Sequence, residues 1–430
     1  MSWNLIQSVS TSMVVAGISV LAVSTSVEAK NNPQSNLPNA VPGEFLVRMK
    51  GDFSTLSAVK SLRASLVQSL GVSSIQSIES LAMDSRIQKV TIQDHRAEAA
   101  ALDSLRANPA VRYAEPNYIY RKFTAPNDLE FTNQWDMVNS GQADSAGKNG
   151  LAGADINILP VWERGITGSR DVMVAVIDTG VDYTHPDLAA NIYTNPSEIP
   201  GDGIDNDANG IIDDVHGVNF VDAKNGTGVS MDDNEHGTHC AGTIGGVGGN
   251  GVGIAGVNWN TTILPVKFLS GDGSGSSEGA INGIKYAVKM GAKVLSNSWG
   301  GGAYSEALYD AIKEANDAGV LFVAASGNEA NDNEARGTYP ASYNLPNIIS
   351  VAAIDNNDRA PSFSNFGKTK VHVAAPGVRI LSTVPGGKYD SFSGTSMACP
   401  HVAGMAALLW SNEPGLTALE IKERLIRTST

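Results

Sequence analysis

Apolar and polar positions in the N-terminal third of the chain follow two different periods. Residues 44–49 (EFLVRM) are typical of a strand, whereas apolar residues within 54–70 recur every three or four positions, which is the period of a helix. Strand patterns follow at VSSIQSI and KVTI, a second helix is predicted from Asp94 to Ala107 before Asn108-Pro109, and a last strand over 111–120. This β-α-β-β-α-β order predicts a small ferredoxin-like α+β domain.

Beyond about residue 150 the pattern changes to apolar runs that alternate with helical segments. The runs are DVMVAVIDTG, TTILPVKFL, AKVLSNS, GVLFVAAS and NIISVAAI, and helices are predicted at 236–246, 277–290, 304–318 and 396–411. Strands that are apolar throughout are buried on both faces, so this region predicts an α/β fold with a parallel β-sheet flanked by helices on both faces. Functional groups in such folds collect at the carboxyl ends of the strands.

A short apolar run near the N-terminus, Met13 to Val23, has the length of a signal-peptide core, and Ala29 ends a small-residue cleavage pattern. No Lys or Arg precedes the run, and the alternative is an N-terminal core helix. We expect a signal peptide at 1–29, followed by the small α+β domain at 30–122 and the α/β domain at 123–430. The protein is therefore expected to be secreted.

Charge divides the chain at the same junction. Of the net −14, residues 1–122 contribute +3 and the remainder −17. An acidic body argues against nucleic acid and anionic membranes as partners, because both are bound by clustered Lys and Arg. The cysteines, Cys240 and Cys399, are too few for a disulfide framework.

Three short motifs at predicted strand ends and helix starts suggest nucleophilic catalysis. Asp178 ends an apolar strand, His236 opens a helix, and Ser396 lies at the start of the last long helix. A serine hydroxyl needs an imidazole to take its proton and a carboxylate to orient that imidazole, and Asp-His-Ser is one of the known chain orders of such a triad. Asn328 follows another strand and could stabilise an oxyanion. Taken singly, these motifs could also be a tight turn, a metal-binding histidine pair and a helix cap.

The chain resembles the subtilisin-like serine proteases (subtilases) through motifs that stand in the family's order. These are AVIDTGVDYTHPDL, HGTHCAGTIGG, VLSNSWGG, AASGNE and SFSGTSMACPHVAG. The resemblance implies that Asp178 orients, His236 is the general base and acid, Ser396 attacks and Asn328 stabilises the oxyanion. It also implies that His239 is a core residue and not the base.

The resemblance further implies where a protein or peptide substrate binds. Gly273, Ser274 and Gly275 would form an edge to which the substrate adds as an antiparallel strand, with Ser298, Trp299 and Gly300 on its other side. Main-chain pairing of this kind gives affinity and places few requirements on the side chains of the substrate. The alternative for 273–275 is a flexible loop.

An acidic loop between the Asp178 and His236 motifs offers oxygen ligands at alternate positions. The candidate ligands are Asp205, Asp207, Asn209, Asp213 and Asp214. The spacing resembles the start of an EF-hand, but His216 stands where the closing Glu would be, so a calcium loop closed by Asp213 or Asp214 fits better. The alternative is a solvated acidic loop.

A second calcium site is implied only by the family resemblance. It would be formed by Asp187, Asn250 and the carbonyl groups of Val252 and Ile254, with a contribution from Asp128. Both calcium ions would be structural. The resemblance also implies that residues 30–122 are an inhibitor-type propeptide and that residues 123–430 are the catalytic domain. The propeptide would assist folding, inhibit the enzyme and be removed by self-cleavage between Arg121 and Pro126, and we expect a monomer.

Two other functional classes remain to be weighed. One is a catalytically inactive relative that acts as a calcium-stabilised binding protein, against which the intact set of Asp178, His236, Asn328 and Ser396 argues. The other is a metallohydrolase that uses His236, His239 and Glu235. The sequence lacks HExxH, and Gly237 stands where that motif has its catalytic Glu.

Overall fold

The computed structural model describes residues 40–429 except 51–54, 71–74, 85, 119–124, 222–225 and 302. The predicted signal peptide and the processing junction at 121–124 lie outside the described residues. The chain forms two compact units that divide at Phe123 and Thr124.

The N-terminal unit is a four-stranded antiparallel sheet with two helices. Its elements are β1 (Ala40–Met49), α1 (Thr55–Leu70), β2 (Ile75–Ser80), β3 (Ile87–Ile92), α2 (Glu98–Ala107) and β4 (Val111–Tyr118). The strand order is β2-β3-β1-β4. Alternate residues of β1, Phe45, Val47 and Met49, pack in the core with Leu62 and Leu66 of α1. The predicted β-α-β-β-α-β order is confirmed, although α2 begins four residues later than expected, after a 3-10 turn at His95–Ala97.

The second unit is built on a seven-stranded parallel sheet in the order β11-β10-β9-β8-β5-β7-β6. These strands are β5 (Met173–Asp178), β6 (Val218–Asn219), β7 (Thr262–Lys267), β8 (Val294–Asn297), β9 (Leu321–Ala325), β10 (Ile348–Ile354) and β11 (Val373–Pro376). A separate antiparallel hairpin joins β12 (Ile380–Val384) to β13 (Lys388–Phe392). The sheet confirms the predicted α/β class.

Helices cover both faces of this sheet. They are α3 (Leu159–Trp162), α4 (His236–Gly245), α5 (Ser277–Lys289), α6 (Glu306–Asp317), α7 (Thr395–Asn412) and α8 (Ala418–Thr428). The residues of strand β5 are apolar because both faces of the strand are buried. Val174 and Val176 pack into the core that contains α4 and α7. Ala175 and Ile177, on the opposite face, pack into the core that contains α5 and α6. Among the described helices, none is both long and apolar enough to cross a membrane.

Candidate active site

Asp178 and His236 are brought together by the packing of β5 against α4. Asp178 is the last residue of β5 and almost fully buried, and His236 is the first residue of α4. The Nδ1 atom of His236 donates to Oδ1 of Asp178 across 2.8 Å. Burial alone would lower the pKa of His236, but the Asp178 carboxylate and, more weakly, that of Asp232 raise it above its usual value. This arrangement fixes the tautomer and leaves Nε2 available as a base.

Ser396 lies beside this pair in a cleft of about 480 Å³ that His236, Asn328 and Gly394 also line. It is the second residue of α7, and its hydroxyl donates to the main-chain oxygen of Ser298 across 2.9 Å. A hydroxyl has a single proton. If His236 were to accept that proton, the hydroxyl would have to turn away from Ser298 toward Nε2.

Asn328, just beyond β9, is held by the residue that precedes Ser396. Its Oδ1 atom accepts hydrogen bonds from the main-chain N–H of Thr395 (2.9 Å) and from the Thr395 hydroxyl (3.0 Å). A main-chain N–H can only donate, so the oxygen must face Thr395 and the NH₂ group must lie on the other side of the amide. Thr395 was not predicted as a site residue, although it stands inside the GTS motif.

His239 is fully buried one turn after His236 and does not face the cleft. Its Nε2 donates to the carbonyl oxygens of Ile380 and Asp390, and its ring stacks on Phe392 with centroids 4.4 Å apart. Burial lowers the pKa of His239 to about 3. A neutral ring that donates to two carbonyls fits a structural role, and it argues against the histidine-pair metallohydrolase.

Both cysteines are free and buried near Ser396. Cys240 Sγ lies 3.6 Å from the carbonyl oxygen of Ser396, and burial raises the pKa of both thiols. Asp178, His236 and Cys240 could together offer ligand atoms to a metal ion. The hydrogen bond between Asp178 and His236 already accounts for their proximity.

The two segments predicted to bind substrate follow β7 and β8, the strands on either side of β5. Gly273, Ser274 and Gly275 are exposed on the loop after β7, where Gly275 forms an antiparallel bridge with Leu269. Ser298, Trp299 and Gly300 follow β8, and the ring of Trp299 contacts Phe268 edge-on, with centroids 4.8 Å apart. Gly273 has a φ of +81°, a conformation that favours glycine.

In the acidic loop, the structure brings together some of the predicted ligands and adds one. Carboxylate oxygens of Asp205, Asp207 and Glu198 lie within 4.8 Å of one another. Glu198 is 6% exposed, and its buried Oε2 atom has no hydrogen-bond partner. Sequence analysis missed Glu198 because it stands alone, seven residues before Asp205.

Asp213 and Asp214, the two candidates for the closing ligand, point in different directions. Asp213 accepts from the main-chain N–H groups of Gly201 (2.8 Å) and Gly203 (3.1 Å). Asp214 is fully buried and shares the amide of Asn209 with Asp207. Asp214 is thus linked to Asp207 through Asn209, whereas Asp213 accepts from the main chain at 201–203.

Asp187, Asn250 and Ile254, predicted to form a second metal site, are joined by hydrogen bonds. The buried Asp187 carboxylate accepts from Asn250 Nδ2 and from Ile254 N, both at 2.8 Å. Burial and, more weakly, the nearby Asp128 carboxylate raise the pKa of Asp187 to about 6. Asp128 is itself buried, and it accepts from Gly249 N at 2.7 Å. Two buried acids that repel each other fit a site for a cation.

Comparison with known proteins gives matches over both units. The subtilase family model matches residues 169–430, and the model of the fervidolysin N-terminal prodomain matches residues 26–117. A thermophilic serine proteinase from Bacillus sp. (strain AK1) is 35% identical over 90% of this chain and 82% of the relative. Subtilisin E from Bacillus subtilis (strain 168) is 34% identical over 78% of this chain and 75% of the relative.

Among solved structures, a cold adapted subtilisin-like serine proteinase is 35% identical, with 59% of this chain and 80% of that chain covered and a TM-score of 0.45. The family model covers more than half of the sequence. The chain therefore belongs to the subtilase family of serine proteinases and carries an N-terminal prodomain.

Proposed function

We propose that the protein is a secreted endopeptidase that hydrolyses peptide bonds through Asp178, His236 and Ser396. The observation that carries this proposal is the 2.8 Å hydrogen bond between His236 and Asp178 in a cleft that Ser396 also lines. His236 Nε2 takes the hydroxyl proton while Ser396 Oγ attacks the scissile carbonyl carbon. The imidazolium then protonates the leaving amine, and an acyl-enzyme remains. Water, deprotonated by His236, releases the acid and regenerates the serine.

The tetrahedral intermediates carry a negative oxygen, for which Asn328 and the main-chain N–H of Ser396 are the proposed donors. Thr395 holds the amide oxygen of Asn328, so the NH₂ group can donate without reorganisation. Loss of one such donor costs about 10²–10³-fold in turnover, a magnitude measured on a related subtilisin.

The proposed substrate is an extended protein or peptide segment. Gly273, Ser274 and Gly275 would pair with its main chain on one side, and Ser298, Trp299 and Gly300 on the other. The exposure of 273–275 supports this assignment. Because main-chain pairing demands little of the side chains, we expect broad cleavage specificity.

We infer that the enzyme binds structural calcium at two places. One site would use Asp187, Asn250 and the carbonyl groups of Val252 and Ile254, with Asp128 adding charge. The other would use Asp205, Asp207, Asn209 and Asp214, with Glu198 in place of Asp213. Carboxylate, amide and carbonyl oxygens suit Ca²⁺, and the unpartnered oxygen of Glu198 needs a cation or a donor.

We propose that the chain is a self-processing zymogen with a signal peptide at 1–29, a propeptide at 30–122 and a catalytic domain at 123–430. The prodomain match supports the second of these segments. The propeptide would act as an intramolecular inhibitor until self-cleavage between Arg121 and Pro126. The mature enzyme is proposed to be a monomer.

Labelling with a fluorophosphonate tests the catalytic assignment. The wild-type chain should be labelled at Ser396, cleave peptides and mature by itself, and Ser396→Ala should do none of these. An unlabelled wild-type chain, or a Ser396→Ala chain that still matures alone, would contradict the proposal. After chelation, recovery of activity with calcium but not with zinc excludes the metallohydrolase.

A further inference from the structure

A second carboxylate, Asp232, lies buried just before the helix that begins with His236. It is 6% exposed, and both of its oxygens accept hydrogen bonds. Oδ1 accepts from the main-chain N–H groups of Asn234 (2.9 Å) and Glu235 (3.2 Å). Oδ2 accepts from the N–H (3.0 Å) and the hydroxyl (2.6 Å) of Thr238. These contacts fix the backbone on both sides of His236.

The same carboxylate is tied to the strand that carries Asp178. Oδ1 also accepts from the hydroxyl of Thr179, the residue after Asp178, across 2.9 Å. The Thr179 hydroxyl oxygen in turn accepts from the main-chain N–H of Gly237 across 2.9 Å. The Asp178 strand and the His236 helix are thus joined twice, once by the Asp178–His236 bond and once through Thr179 and Asp232.

The charges that act on the His236 ring are negative. Two carboxylates act on the ring, Asp178 in direct contact and Asp232 from behind the helix start, and both favour the imidazolium. The other titratable groups near the ring, His239 and Cys240, belong to α4 and are buried and uncharged. A nearby cation, Lys267, is paired with Asp233, with its Nζ 2.6 Å from Oδ1. The negative charge of Asp232 therefore adds to that of Asp178 at the His236 ring.

We propose that Asp232 is a positioning residue for the triad, which holds His236 in register with Asp178 and supports the positive charge that His236 acquires during catalysis. Five hydrogen bonds on one buried carboxylate exceed what a helix cap requires, since a cap satisfies one or two N–H groups. The bond from Thr179 gives the additional link to Asp178. The proposal deepens the proposed triad mechanism and rests on it.

Titration of His236 by NMR tests the electrostatic part on a chain that needs no activity. The full-length, calcium-loaded Ser396→Ala chain is compared with the same chain carrying Asp232→Asn, and His236→Gln identifies the resonance. We expect the His236 midpoint to fall by about half to one pH unit, because one nearby negative charge is removed. Asp317→Asn, a charge change on the exposed surface of α6, should leave the midpoint in place. An unchanged or raised midpoint in folded Asp232→Asn would overturn the proposal.

Kinetics test the positioning part in the active enzyme. Asp232→Asn should lower kcat about 5- to 20-fold with little change in KM, because misplacing a base affects the transition state more than binding. The acid limb of the kcat/KM profile should move to lower pH. If Asp232→Asn changed only KM or only thermal stability, Asp232 would have a merely structural role.

Thr179→Val keeps the charge of Asp232 and removes only the hydrogen bonds of the Thr179 hydroxyl. It can therefore test the positioning role even if Asp232→Asn does not fold. It should lower kcat while the acid limb stays where it is. If Thr179→Val has the kcat of the wild type, the link through Thr179 does not position the triad. Failure of fluorophosphonate labelling in the wild type would instead contradict the triad itself, so the two failures are distinguishable.

Discussion

The Oδ1 atom of Asn328 accepts two hydrogen bonds from Thr395, one from the main-chain N–H at 2.9 Å and one from the hydroxyl at 3.0 Å. The hydroxyl oxygen of Thr395 also accepts from Gly327 N across 3.2 Å. The amide oxygen of Asn328 is therefore held by Thr395. Its orientation depends on a residue adjacent to the proposed nucleophile.

Thr395→Val removes the hydroxyl and retains the shape of the side chain. We expect kcat to fall about tenfold with KM nearly unchanged, because Asn328 loses one of its two restraints but keeps the N–H contact. Steady-state kinetics on a peptide substrate measure this. Thr395→Ser, which retains the hydroxyl, should stay near wild type. Equal kcat in the Val and Ser variants would show that the hydroxyl does not orient Asn328.

The pKa of Asp187, raised by burial from 3.8 to about 6, predicts an unusual pH dependence in the calcium-free protein. An acid with a raised pKa keeps its proton longer in the folded state, so the unfolded chain binds fewer protons between about pH 4 and 6. Stability without calcium should then fall as pH rises through this window, by up to about 3 kcal/mol. Calcium competes with that proton, so its stabilising effect should grow over the same range.

Denaturant unfolding of the Ser396→Ala chain at several pH values, with chelator or with calcium, measures both effects. Asp187→Asn should remove the decline without calcium and should weaken the response to calcium. A chelated protein whose stability rises between pH 4 and 6, in parallel with the calcium-loaded form, would contradict the prediction.

Glu198 and Asp213 provide a matched pair of carboxylates in the acidic loop. Glu198 has a buried oxygen without a partner beside Asp205 and Asp207, whereas both oxygens of Asp213 accept from main-chain N–H groups. Glu198→Gln should therefore weaken calcium binding at this site by tenfold or more, since a charged ligand is lost, roughly 1.4 kcal/mol or greater. Asp213→Asn should change calcium affinity much less.

Calorimetric titration with calcium on the Ser396→Ala chain gives the affinity and the number of ions. If Asp213→Asn abolishes binding and Glu198→Gln does not, then Asp213 is the closing ligand and Glu198 is not a ligand.

The parts of the molecule that follow from local pattern were predicted, and those that depend on distant contacts were not. Strand β5 is apolar because both of its faces are buried, and this continuous apolar pattern allowed the fold class to be predicted from the sequence. The positions of Asp178, His236 and Ser396 follow from strand ends and helix starts. Thr395, Asp232 and Glu198 gain their importance from hydrogen bonds or charges that only the folded chain brings together. The same holds for Asp213 and Asp214, adjacent in sequence but turned to different partners.

Cys240 and Cys399 give a last test, which concerns the environment of the nucleophile. Both thiols are fully buried on α4 and α7; burial raises the pKa of Cys399 to about 11 and that of Cys240 well above its usual range. The thiolate is the reactive form, so neither should react with an aromatic disulfide reagent at pH 8 while the calcium-loaded protein is folded. Proteolytic activity should survive this treatment. In denaturant without reductant both thiols should react, as measured by absorbance of the released thiolate. Rapid labelling of the folded protein with loss of activity would show that the packing between α4 and α7 opens in solution.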